Sequence, residues 1–239
     1  HCISSAASDV YKRQASEYKK WYKQKHRATK LIKKSIYSLP EINRKEIKKY
    51  NIISSPGCYP TSILLPLIPL INKNLVKVSN IIIDSKSGYS GAGRGIHKKY
   101  KNKNLYESLS AYGVGNHRHN SEIDQMLKKF SKKKIEVSFT PHLSPMFKGI
   151  LSTIYLDLNR NVNQTKVISL LSKFYKDEKF VRISKSNTFI STNDVINTNN
   201  CLISVCKSKF NNKIIILSAI DNLIKGGAGQ AVQLSLIHI

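Results

Sequence analysis

The segment YNIISSPGCYPTSILLPLIPLI, residues 50–71, does most to limit what this chain can fold into. Residues 50–55 read as a short strand, Pro56 and Gly57 interrupt it, and the apolar run from Thr61 onward reads as a helix beginning near Cys58 or Tyr59. A cysteine is therefore expected in a tight turn at a helix N-terminus. The run SILLPLIPLI (62–71) is too short to cross a bilayer and carries two prolines, so a soluble protein rather than a membrane protein is expected.

Downstream, VSNIIIDSKSGYSGAG (78–93) reads as a buried strand entering a Gly/Ser loop. Ile123, Met126, Leu127 and Phe130 have helical spacing, which puts His117 and His119 at a helix entrance. KIEVSFTPHL (134–143), GILSTIYLDL (149–158), CLISVCKS (201–208) and KIIILSAID (213–221) read as strands, and QTKVISLLSKFYKD (164–177) as an amphipathic helix. NLIKGGAGQAVQ (222–233) reads as a glycine loop opening a helix. The fold class is α/β or α+β with much strand.

Both ends differ in composition from the Lys/Asn/Ile-rich interior: HCISSAASDVYKRQ (1–14) reads as a non-native leader and LSLIHI (234–239) as a non-native tail. Between the leader and about Lys49, a basic segment reads as helical until Pro40, which is expected to end the helix and turn the chain.

Forty Lys and Arg against 14 Asp and Glu leave a formal charge of +26, a field that attracts anions without naming one. The lysines are spread along the whole chain, and KKFSKKK (128–134) lacks the interleaved aromatics of a single-strand binder, so nucleic acid is disfavoured as a partner. Four cysteines without a CxxC pair, and no secretory leader, point to free thiols in a reducing cytoplasm.

A helix N-terminus favours a thiolate through its unpaired N–H groups and partial positive charge, so Cys58 is a candidate nucleophile as well as a candidate small buried hydrophobe. Gly57 opens the approach to it, and Pro60 suits a first-turn position that needs no N–H donor. A cysteine nucleophile needs a proton acceptor close in space, and HRH at 117–119 is the best source. Two histidines without a third ligand at metal spacing argue against zinc. His97 and His142 read as structural or surface groups. The loops SGYSGAGR (87–94) and KGGAGQA (225–231) offer N–H donors and room for close backbone approach, or serve as plain turns and caps.

Taken together and in order, LPE, PGCYPTS, SGYSGAGR, HRHNSEI, PHLSPM and DNLIKGGAGQAVQ resemble the N-acetyl-γ-glutamyl-phosphate reductase family of arginine biosynthesis, from about Tyr18 to Gln233. The resemblance implies a catalytic domain of the glyceraldehyde-3-phosphate dehydrogenase-like type with remnants of a Rossmann-type nucleotide domain. It implies NADPH-dependent reduction of an acyl phosphate through a thioester on Cys58, with His117 as acid/base and His119 as the alternative. Arg94, Arg118, His119 and Glu122 would bind substrate, and Gly57, Asn222, Gly226 and Gly229 would lie at the NADPH/NADP site. A homodimer or homotetramer is implied, and no metal.

Ser38, Ser121 and Lys148 stand where the family usually has Gly, Pro and Arg. Lys148 keeps the charge without the planar fork. No GxGxxG strand–loop–helix precedes Cys58, so a nucleotide-domain segment on the order of 100 residues is expected upstream. Residues 15–57 would then be the end of that domain, 58–221 the catalytic and oligomerisation domain, and 222–233 a helix returning to the nucleotide domain. The rival enzymes are aspartate-semialdehyde and aminoadipate-type reductases, and the rival from another class is a basic nucleic-acid-binding module.

Overall fold

The computed structural model describes residues 19–20, 23–25, 27–32, 34–92, 104 and 106–237. The leader 1–14, Arg94 and His97 lie outside the described residues.

A small lobe comes first. After a four-residue helical turn, Thr29–Ile32, strand β1 (Ser35–Tyr37) pairs in parallel with β2 (Ile52–Ser54), and helix α1 (Pro40–Ile47) connects them. The expectation that Pro40 closes a helix is corrected: Pro40 opens α1, and the preceding residues form a strand. The reason is local. A proline at the first helical position gives up an N–H that would have no partner there, and its fixed φ already suits the helix.

The core of this lobe is Ile36, Ile47 and Ile53 packed with Leu234 and Ile237. The sequence reading set 234–239 aside as a non-native tail; helix α5 (Gly229–Ser235) carries Leu234 of that segment into full burial. The burial of one apolar side chain, about 1.5–3 kcal/mol, is reason enough for that segment to dock.

The large lobe is a seven-stranded mixed sheet of β3 (Ile81–Ser87), β4 (Ser110–Ala111), β5 (Val137–Leu143), β6 (Ile150–Asp157), β7 (Val181–Ile183), β8 (Cys201–Lys207) and β9 (Lys213–Ile220). Its order is β4-β5-β3-β6-β9-β8-β7, with β3/β5 and β7/β8 parallel and the other pairs antiparallel. The strands alternate, as the sequence pattern requires of a sheet with one buried face. Ile81, Ile83, Phe139, Ile150, Ile154, Ile203, Val205 and Ile216 face the core, while Ile82 and Tyr155 on the other face are each 42% exposed.

Helix α2 (Cys58–Asn72) lies on the core face with α3 (Asn120–Leu127) and α4 (Gln164–Phe174) beside it. A helix that is apolar all round has no solvent face, and every residue of α2 from Tyr59 to Ile71 is buried. Pro66 and Pro69 sit inside it. Pro69 cannot donate to the Leu65 carbonyl four residues earlier, and the Tyr175 hydroxyl at the end of α4 donates to that carbonyl instead, at 2.5 Å. Three buried hydroxyls pin the front of α2 to the sheet: Ser152 Oγ lies 2.8 Å from Ser62 Oγ and 2.7 Å from Ser85 Oγ. Each satisfies a polar group that would otherwise be costly to bury.

A buried ion pair joins the lobes. Lys225, fully buried, donates through Nζ to Glu41 Oε1 on α1 and to Gln233 Oε1, and Gln233 Nε2 donates to the same Glu41 oxygen at 2.7 Å.

Candidate active site

Gly57 is the N-cap of α2 and Cys58 its first helical residue, which is the placement the sequence predicts. Cys58 is half-buried at the wall of a cavity of about 490 Å³. Burial, with the Glu122 charge adding to it, pushes its thiol up to about 11, and the N–H groups of Tyr59 and Cys58 together with the Arg118 guanidinium act in the opposite direction. The helix N-terminus thus moderates a burial penalty that it does not overcome in this state. A second group must take the proton if the sulfur is to react near neutrality.

Two histidines share the cavity, and the structure separates their circumstances. His119 is buried, and a Cβ on Gly57 would lie 2.6 Å from its Nε2, so only glycine lets the imidazole reach the residue before Cys58. Its Nε2 also lies 3.7 Å from Glu122 Oε1. His117 instead packs edge-on among Tyr59, Tyr112, Phe139 and His119, and its Nδ1 accepts from the backbone N–H of His119 at 3.2 Å. Burial, with the Arg118 charge beside it, lowers His117 to about 4.

Glu122 was expected among the substrate-binding residues, and its position differs. It is 2% exposed, absent from the cavity wall, and its Oε2 accepts from the Gly57 N–H at 3.1 Å and the Tyr37 hydroxyl at 3.0 Å. A carboxylate accepting two such bonds is a framework group rather than an open ligand. Arg118 is exposed and lines the cavity, where it remains available to an anion.

Of the predicted cofactor residues, Gly57 and Gly226 line the cavity. Gly229 does not: it opens helix α5, where a Cβ would meet Asn199 Oδ1 and Ile224. Asn222 is buried, its Oδ1 accepting from Gly149 N at 2.7 Å and its Nδ2 donating to Ser90 Oγ at 3.0 Å, so it holds the SGYSGAG loop from behind. Asp221, fully buried, accepts from the N–H groups of Asn197, Leu223 and Ile224 and fixes the turn that delivers Gly226. Lys148 Nζ donates to Asn197 Oδ1 and lies 3.9 Å from Asp221 Oδ2, contacts of a point charge rather than of a planar fork. Gly88, Gly91, Gly226 and Gly227 make part of the cavity wall free of side chains, which suits close approach by a flat ring. No group of three or more metal-ligating side chains occurs among the described residues.

Sequence reasoning missed Tyr37 and Tyr112. Tyr37 fell in the basic segment read as helical up to Pro40, where the structure has strand β1. Tyr112, whose hydroxyl donates to Tyr59 Oη at 3.1 Å, belongs to no quoted motif.

A mixed sheet carrying a buried helix with a cysteine at its tip defines the semialdehyde dehydrogenase class. The family model described as "Semialdehyde dehydrogenase, dimerisation domain" matches residues 58–222. Among solved structures, aspartate semialdehyde dehydrogenase II from Vibrio cholerae has a TM-score of 0.67 at 17% identity, over 86% of this chain and 68% of that one, a likeness of fold.

Within that class, the chain belongs to the N-acetyl-γ-glutamyl-phosphate reductase family. It is 42% identical to the reductase of Halothermothrix orenii over 97% of this chain and 67% of the relative. The probable chloroplastic reductase of Arabidopsis thaliana is 44% identical over 97% and 58%, and that of Desulforamulus reducens 46% identical over 90% and 62%. The chain thus spans about three fifths to two thirds of the length of these curated relatives.

Proposed function

We propose that this chain carries the thiol chemistry of NADPH-dependent reduction of N-acetyl-γ-glutamyl phosphate to N-acetylglutamate 5-semialdehyde. The observation that carries the reading is Cys58 at the tip of a wholly buried helix, opening on a cavity that also holds His119, His117 and Arg118.

His119 takes the Cys58 proton, and Glu122 at 3.7 Å stabilises the imidazolium that results. The assignment to His119 rather than His117 rests on its position against Gly57 and on the depressed basicity of His117. The Cys58 thiolate then attacks the acyl carbon; a carbon–sulfur bond forms as the carbon–oxygen bond to phosphate breaks, and phosphate departs with the electron pair. The Arg118 guanidinium at the cavity wall is suited to the leaving phosphate. Gly91, Gly226 and Gly227 would leave room for the nicotinamide of NADPH, which when bound would supply the hydride that reduces the thioester carbon. Collapse returns the electron pair to Cys58 sulfur.

The single-step test is acyl transfer. Incubation of the chain with N-acetyl-γ-glutamyl phosphate should release phosphate and leave one N-acetylglutamyl group on the Cys58 peptide by mass spectrometry, with no adduct in Cys58→Ala. An adduct from aspartyl phosphate in preference would assign the aspartate-type rival, and equal labelling of Cys58→Ala would overturn the reading.

A second copy of the chain is proposed for the outer sheet face, where Ile82 and Tyr155 pair across β3 and β6 in the open. The description of the matching family as a dimerisation domain favours this occupant.

A further inference from the structure

Glu122 receives hydrogen bonds from two separate parts of the chain. Its Oε2 accepts from Gly57 N–H, at the cap of the nucleophile helix, and from the hydroxyl of Tyr37, on β1 of the small lobe. Tyr37 and Glu122 are 85 residues apart in sequence, and both are almost wholly buried. With both donors on Oε2, the side chain has one orientation, and in it Oε1 is the oxygen turned toward His119 Nε2. Burial, with the neighbouring Glu122 charge, holds the Tyr37 phenol well above its ordinary range, so it remains a donor wherever the enzyme works.

We propose that Tyr37 is a positioning residue for proton transfer at Cys58, acting through Glu122 on His119. The proposal rests on the reading above in which His119 accepts the thiol proton. Without the hydroxyl, Oε2 loses one of the two donors that orient it, and the hold on Oε1 beside His119 loosens. The small lobe thereby contributes to the thiol chemistry without touching the reacting atoms.

The test is the rate of iodoacetamide alkylation of Cys58 in the full chain across pH 6–10, read on the Cys58 peptide by mass spectrometry, with melting temperature measured in parallel. His119→Gln and Glu122→Gln should each slow alkylation near neutrality by about tenfold or more, the scale of a lost charge-assisted bond. Tyr37→Phe should slow it severalfold, move the pH profile upward and leave the fold intact. Tyr37→Phe combined with Glu122→Gln should be no slower than Glu122→Gln alone, because the two act on one path. Should Tyr37→Phe not fold, Tyr37→Met removes the same hydroxyl.

A normal rate in His119→Gln would overturn the proton assignment and this inference with it. A slowed His119→Gln with Tyr37→Phe unchanged, or with additive losses in the double variant, would overturn this inference alone.

Discussion

Gly226 is pressed against Cys58: a Cβ there would stand 2.5 Å from Cys58 Cβ and 3.0 Å from its Cα. Non-bonded carbons do not sit so close, so an added methyl must push the loop or the helix tip aside. Gly226→Ala is expected to cost about 1–3 kcal/mol of stability, as overpacking does. It should slow Cys58 acylation by more than tenfold. Urea unfolding and adduct formation on the Cys58 peptide measure the two effects.

His117 should remain neutral until the pH falls to about 4, because burial and Arg118 both oppose its protonation. The unfolded chain takes up that proton near 6.5, the ordinary value. The native state therefore has the full benefit of this group above 6.5 and loses it as pH falls toward 4. Imidazole NMR titration of His117 should give the low midpoint. His117→Gln should flatten the acid side of the stability curve, and a titration near neutrality would contradict both statements.

Breaking the buried pair of Lys225 and Glu41 should be expensive, since each partner leaves the other charged in an apolar setting. Lys225→Met is expected to cost about 3–5 kcal/mol. Lys225→Met with Glu41→Met should recover much of that loss, because it removes both charges. Denaturant midpoints of the single and double variants decide it.

The outer sheet face offers a third kind of check. With a second copy on Ile82 and Tyr155, the chain should sediment as a dimer and the pair Ile82→Lys, Tyr155→Glu as a monomer with unchanged circular dichroism. A monomeric parent chain would remove the proposal.

Much of the large lobe was legible because each element bears its own period. Alternation marked β5, β6 and β9, and Ile123, Met126 and Leu127 marked α3. The turn at Gly57 placed Cys58 correctly for the same reason, since proline and glycine act on the residues beside them. What stayed hidden depends on partners distant in sequence. Strand β1 is three residues long and is a strand only because β2 lies beside it, so Pro40 looked like an ending rather than a beginning. The burial of Glu122 was not legible because the donors to its carboxylate, Tyr37 and Gly57, lie 85 and 65 residues away. Leu234 looked expendable until the small lobe's core required it.

The small lobe is assembled from both extremes of the described chain, β1, α1 and β2 from one side and α5 from the other, so the large lobe is in effect an insertion. The polypeptide crosses between lobes twice, at residues 55–57 on the way out and 222–228 on the way back, and Cys58 and Gly226 touch where those crossings meet. Both hinges between the lobes thus lie against Cys58, and a shift of one lobe on the other would be felt first at that side chain.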